Sequence, residues 1–164
     1  MTLRKCAALA GVSHAAPAHH FAGLEGLLTA IAARGFTLFS RAMQEKAAQA
    51  PAEPRARLQS ICIAYFEYAK ANPAVFDLMF RQVWIIASDD AELTAAGAEA
   101  YGVLAEACAP FVSADARVGT VETQVWGLIH GYSALALAGK LGRNREQAPL
   151  EAVLALLHKL DLRT

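Results

Sequence analysis

The chain has 164 residues, of which 55% are hydrophobic and 18% charged, so it is one ordinary domain or a small module fused to a larger one and not an intrinsically disordered segment. Its 15 basic and 15 acidic residues cancel, which by itself points to no polyanionic partner. Cutting the chain after Arg57 separates seven basic and three acidic residues, a net of +4, from eight basic and twelve acidic residues, a net of −4.

Apolar residues recur at three- and four-residue spacing with no clear two-residue alternation, so the fold class is all-α. The first helix is expected from Leu3 to Ala10, with Thr2 as its N-cap and Gly11 taking the positive φ that ends it. Ser13 is a second N-cap, opening a short helix from His14 to His20 that Phe21 and the Ala22-Gly23 turn close. A long helix follows from Leu24 to Ala48 and is broken by Pro51 and Pro54. The next runs from Glu53 to Ala71. Asn72-Pro73 ends it and starts another that holds Val75 to Trp84. Ser88 to Asp90 forms the break before a helix from Ala91 to Phe111. The last two helices are expected from Asp115 to Lys140, ended by Gly142, and from Glu146 to Leu160.

Cys6, Cys62 and Cys108 are odd in number and far apart, which suits reduced thiols better than a disulfide framework. No apolar run reaches the roughly 18 residues of a membrane span. The first residues lack a signal-peptide pattern. A soluble, cytoplasmic protein is expected.

A short helix, a turn beginning Gly11-Val12-Ser13 and a second short helix match the spacing of a helix-turn-helix. In that unit the start of the second helix meets base edges in the major groove, here Ser13, His14, Ala15 and Ala16, with His19 and His20 further along. Thr2, Arg4 and Lys5 lie on the basic first helix beside it. A helical hairpin with a Gly turn in any all-α protein has the same pattern.

Wording separates the two. The run from Leu3 to Ser13, followed by His20-Phe21 and Glu25-Gly26-Leu27-Leu28, resembles the tetracycline-repressor (TetR) family of bacterial regulators. Asn72-Pro73-Ala74-Val75-Phe76-Asp77-Leu78-Met79-Phe80 is similar to a second segment of that family. Trp126-Gly127-Leu128-Ile129-His130-Gly131 resembles the signature of its WHG-type C-terminal domain. Three features depart from the pattern. Ala18 and Leu24 stand where the family has a phosphate-contacting Tyr and Lys, and Met1 lies directly ahead of what is the second helix in the family. The head is therefore expected to be short by one helix.

The resemblance implies a homodimeric, ligand-responsive repressor that binds a palindromic operator in double-stranded DNA. Residues 1–46 would form the incomplete DNA-binding region and residues 53–164 the effector-binding and dimerisation domain. The alternative is a protein that keeps the bundle and binds a small molecule or a partner without binding DNA. A small, mostly apolar effector is expected among Phe66, Phe76, Met79, Phe80 and Trp84 and near Tyr101, Trp126 and His130. A dimer contact is expected from Val121, Val125, Leu128, Gly131 and Leu135 of one helix with Leu150, Val153 and Leu157 of the last. Ordinary core packing explains the same aromatic and small-residue patterns.

No phosphate-binding loop, nucleophile elbow or Cys-x-x-Cys is present, and the adjacent His19 and His20 point apart on a helix. Asp89-Asp90 reads as a helix cap rather than a catalytic dyad. Neither an enzyme, a metal site nor a cofactor is expected.

Overall fold

Caps and turns set the limits of the helices. The computed structural model describes residues 2–13, 15–82, 85, 88–114, 117–141 and 149–160. In α1 (Leu3–Leu9) the Thr2 side chain accepts from the Lys5 N–H at 3.3 Å. Gly11, at φ 68, lets the Val12 N–H reach the Ala7 carbonyl while its own N–H reaches Ala8. This pair of bonds is a Schellman closure. The Ser13 hydroxyl then accepts from the Ala16 N–H at 3.2 Å and opens α2 (Ala16–His20), which Phe21 ends. That helix starts two residues later than expected, and His14 lies outside the described residues.

The central element is α3 (Gly23–Gln49), whose 27 residues span roughly 40 Å. The carboxylate of Glu53 accepts from both the Arg55 and Ala56 N–H groups and starts α4 (Pro54–Ala71). Asn72 joins it to α5 (Pro73–Arg81), which ends before the expected Val83 and Trp84, both outside the described residues. Asp90 accepts from the Leu93 N–H at 2.8 Å and starts α6 (Ala91–Cys108). Its last turn tightens into a 3₁₀ segment, Ala109–Phe111, because Pro110 has no N–H to continue the α-helical ladder.

Two expected limits move inward. Gly119, at φ 79, delays the start of α7 (Thr120–Leu137), and Gly139, at φ 65, closes it ahead of Gly142. The Lys140 N–H bonds the Leu135 carbonyl at 2.8 Å, a second Schellman closure. Among the described residues the last helix is regular in α8 (Leu150–Leu154) and continues as a 3₁₀ segment, Ala155–Lys159. Residues 142–148, including the expected start at Glu146, lie outside the described residues.

The core is a bundle in which α3 packs most extensively on α6, then on α4 and α5, while α7 closes the far side against α4. Among the described residues there is no strand. Arg55 ties the C-terminal segment to α4: its guanidinium donates to the Leu157 and Leu160 carbonyls and lies 5.4 Å from the centroid of the Phe111 ring. Those carbonyls end a helix, where a cation is favoured. None of the described helices is long and apolar enough to cross a membrane.

α5 approaches α3 closely at Gly35. A Cβ there would lie 2.7 Å from Cγ1 of Val75 and 2.8 Å from Sδ of Met79, and the Tyr68 hydroxyl donates to the Gly35 carbonyl at 2.9 Å. Gly102, in the exposed middle of α6, has no atom within 4 Å of the same position. Chemical denaturation should therefore give opposite signs for one substitution. Gly35→Ala should lose about 1–3 kcal/mol through overpacking, and Gly102→Ala should gain about 0.5–1 kcal/mol through helix propensity.

Candidate functional site: an aromatic cavity between the bundle helices

Between α3, α4, α5, α6 and α7 lies a cavity of about 450 Å³. Phe36, Phe39 and Met43 of α3 form one wall, Met79 and Phe80 of α5 another, and Leu93, Ala100 and Leu104 of α6 a third. Exposed Thr94, Ala98 and Tyr101 lie along one side of α6, where the cavity meets solvent. Phe39, Met43, Tyr65, Met79 and Leu104 are buried and form its floor. None of the described lining residues carries a formal charge at neutral pH.

One polar chain enters this apolar space. The Trp126 indole N–H donates to the Tyr65 hydroxyl oxygen at 3.2 Å, and that oxygen lies 2.8 Å from Nδ1 of His130. An indole N–H only donates, so the first bond has a fixed direction. With the Tyr65 O–H donating to Nδ1, the protons of Trp126 and of the buried Tyr65 are both used, and the one left over lies on Nε2 of the half-buried His130 at the cavity. If Nδ1 donated instead, the buried hydroxyl proton would have no acceptor among the described residues, which costs about 1–3 kcal/mol. The tautomer assigned to neutral His130 is therefore the one protonated on Nε2, which leaves the buried Tyr65 hydroxyl satisfied.

Rings hold this imidazole in place. Phe76 stacks on it at 5.5 Å and 27°, and Phe80 meets it edge-on at 5.0 Å. Phe39 in turn packs edge-on against Tyr65 at 4.7 Å. Burial raises the Tyr65 phenol above its ordinary value and lowers His130 below its ordinary value, since each charged form would lose its water. The Cys62 and Cys108 thiols are pushed up to about 12, chiefly by burial, so both stay protonated and unreactive at neutral pH.

Of the residues expected at an effector site, Met79, Phe80, Tyr101, Trp126 and His130 line the cavity. Phe76 stands behind His130, and Phe66 packs away from the cavity against Tyr132, their rings 5.2 Å apart. Trp84 lies outside the described residues. Sequence reasoning missed Phe36, Phe39, Met43, Tyr65 and the α6 residues other than Tyr101. Their spacing marks them only as the inner faces of helices, which fits core and cavity wall equally well.

In the head, Thr2, Arg4, Lys5, Ser13, Ala15, His19 and His20 are exposed and Ala16 is half-buried. Leu9 is 81% exposed and Val12 47%. Of the residues expected at a dimer contact, Val121, Val125 and Leu157 are buried in the chain's own core and present almost no surface outward. Leu128, Gly131, Leu150 and Val153 are half-buried, and Leu135 is exposed.

Residues 58–159 match the family described as "Tetracyclin repressor-like, C-terminal domain". The chain belongs to the tetracycline repressor-like family. Its TetR-like bundle carries the whole cavity except the α3 wall, which comes from the residues before the match. A solved structure described as that of a protein with unknown function from Rhodococcus sp. RHA1 is similar to it. That structure has a TM-score of 0.77 and 27% identity, over 98% of this chain and 82% of that one. No curated protein matches the chain.

The depressed His130 gives this TetR-like bundle a pH signature. The unfolded chain binds a proton at this ring below about pH 6.5, where the folded chain still resists it, so stability is full above that pH and lost as the pH falls. Thermal melts should show wild-type Tm falling between about pH 7 and 5.5, with a smaller slope for His130→Phe. Any offset from the lost Tyr65 bond is constant with pH, so equal slopes would refute the assignment.

Proposed function

We propose that the protein is a ligand-responsive, DNA-binding regulator that acts as a homodimer, with repression as its output. The observation that carries this reading is that one helix serves both ends. α3 follows the head directly through Phe21 and Ala22 and contacts α2, and its Phe36, Phe39 and Met43 wall the cavity. A ligand that fits the cavity in only one placement of α3 biases where the head stands. It lowers operator affinity only by its differential affinity for the two placements.

In this reading α2 enters the major groove with Ser13, His14, Ala15 and Ala16 leading and His19 and His20 following. Thr2, Arg4 and Lys5 meet phosphates, consistent with the basic excess of the first part of the chain. The dimer forms through the outward face of α7. Thr120, Thr123, Gln124, Gly127, Gly131, Ala134, Leu135 and Ala138 share that face at helical spacing, and none is charged. A Cβ added at Gly127 or Gly131 would meet nothing within 4 Å in this chain, so a partner helix can approach the backbone closely there. The half-buried Leu150 and Val153 of α8 flank it.

One observation favours a second reading, a bundle that binds its ligand without DNA. Leu9 and Val12 expose apolar surface in the head, and Ala18 and Leu24 offer no phosphate contact.

Titration of labelled DNA from the flanks of the protein's own gene separates the two. The regulator should bind selectively in the nanomolar range with a steep salt dependence, and Lys5→Ala should weaken all sequences alike while reducing the salt slope by about 1. Absence of selectivity even at low salt would favour the second reading. Independently, Gly131→Leu should turn a dimer into a folded monomer in sedimentation velocity, whereas an unchanged dimer would place the contact elsewhere.

A further inference from the structure

The effector reading leaves open what kind of molecule the cavity takes, and the hydrogen-bond chain inside it narrows the choice. Trp126 N–H is spent on Tyr65, and Tyr65 O–H is spent on Nδ1 of His130. At the solvent side, the Thr94 hydroxyl donates to the Asp90 carbonyl at 2.8 Å, and the Ser88 hydroxyl accepts from the Asp90 N–H at 3.3 Å. The Ser88 O–H and the Tyr101 O–H stand at that solvent side, where water can accept from them; deeper in, the proton left over is the one on Nε2 of His130, which has no hydrogen-bond partner among the described residues. It sits among the rings of Phe76, Phe80 and Trp126. An occupant must therefore supply an acceptor there or leave a donor unmet.

The described lining disfavours charge by the same bookkeeping. No described lining residue carries a formal charge, so a carboxylate or ammonium would lose its water without a counter-ion. Protonating His130 to meet a carboxylate does not solve this. The imidazolium donates from both nitrogens, so Tyr65 would have to accept from Trp126 and His130 together, and its own O–H would be left with no acceptor. The walls of Phe36, Phe80, Tyr101 and Trp126 supply ring faces and edges, and the volume lies within the roughly 300–1,000 Å³ typical of small-molecule pockets.

We propose that the cavity binds an uncharged, mainly aromatic molecule carrying one hydrogen-bond acceptor, of the aryl ketone type, held by Nε2–H of His130. This rests on the reading of the cavity as an effector site. Three probes on one ring skeleton test it by calorimetric titration of the whole chain at neutral pH: isopropylnaphthalene, the isosteric acetylnaphthalene and the naphthoate anion. The ketone should bind about tenfold more tightly than the hydrocarbon, the equivalent of about 1.4 kcal/mol, and the anion more weakly than either. In His130→Phe the ratio of ketone to hydrocarbon affinity should fall towards one. Tyr65→Phe, which frees Nδ1 and no longer fixes the proton on Nε2, should lower the ratio partway and serves as the second variant if the first fails to fold. Equal binding of ketone and hydrocarbon, a ratio unchanged in both variants, or tightest binding of naphthoate would overturn the proposed class while leaving a ligand cavity. If no probe binds, the effector reading itself fails and the proposal with it.

Discussion

The close contact between α3 and α5 at Gly35 sets the geometry on which the interior depends. With no side chain at that position, Val75 and Met79 settle onto the α3 backbone, and Tyr68 supplies the hydrogen bond that its buried carbonyl needs. α5 is only nine residues long, so its docking fixes where each of its rings stands. Phe76 and Phe80 are thereby brought against His130 of α7, and Phe80 also meets Phe36 of α3 at 5.3 Å. Without the approach at Gly35, four helices would lose their common aromatic junction.

That junction encloses a cavity instead of filling it, and the difference lies in its polar chain. Tyr65, Trp126 and His130 come from two helices and satisfy one another, leaving a single imidazole N–H unused. A solid core would gain nothing from such a group, since a buried donor without a partner is costly. Beside a cavity of about 450 Å³ the same group is open to an acceptor from an occupant, which is what the proposed ligand class uses. The uncharged described lining and the lowered basicity of His130 have one cause, since burial away from water disfavours the ionised form of that ring.

Two surfaces of the chain expose small or apolar residues. The outward face of α7 presents Gly127, Gly131, Ala134 and Ala138 in line, and the head exposes Leu9 and Val12. α3 links the cavity to the head over a continuous helix that no proline interrupts. A rigid connection of that kind transmits a change of angle at one end as a displacement at the other, which is the physical content of the regulatory reading.

The sequence by itself determined the all-α class, the helix–turn punctuation and the family. These depend on local chemistry: Thr2, Ser13, Glu53 and Asp90 bond nearby N–H groups, and Gly11 takes the left-handed φ that a Schellman closure requires. The same local signals misplaced the limits of α7, because Gly119 and Gly139 act as breaks only when the backbone adopts a positive φ there. Periodicity identified Phe36, Phe39, Met43 and Tyr65 as inward-facing but could not say whether they face protein or empty space. It also placed Val121, Val125 and Leu157 on faces expected to meet a partner, whereas the fold buries them in its own core. Only the tertiary structure decided those points. A cavity, a shared proton chain and a free surface are relations between helices distant in sequence, and no spacing within one helix encodes them.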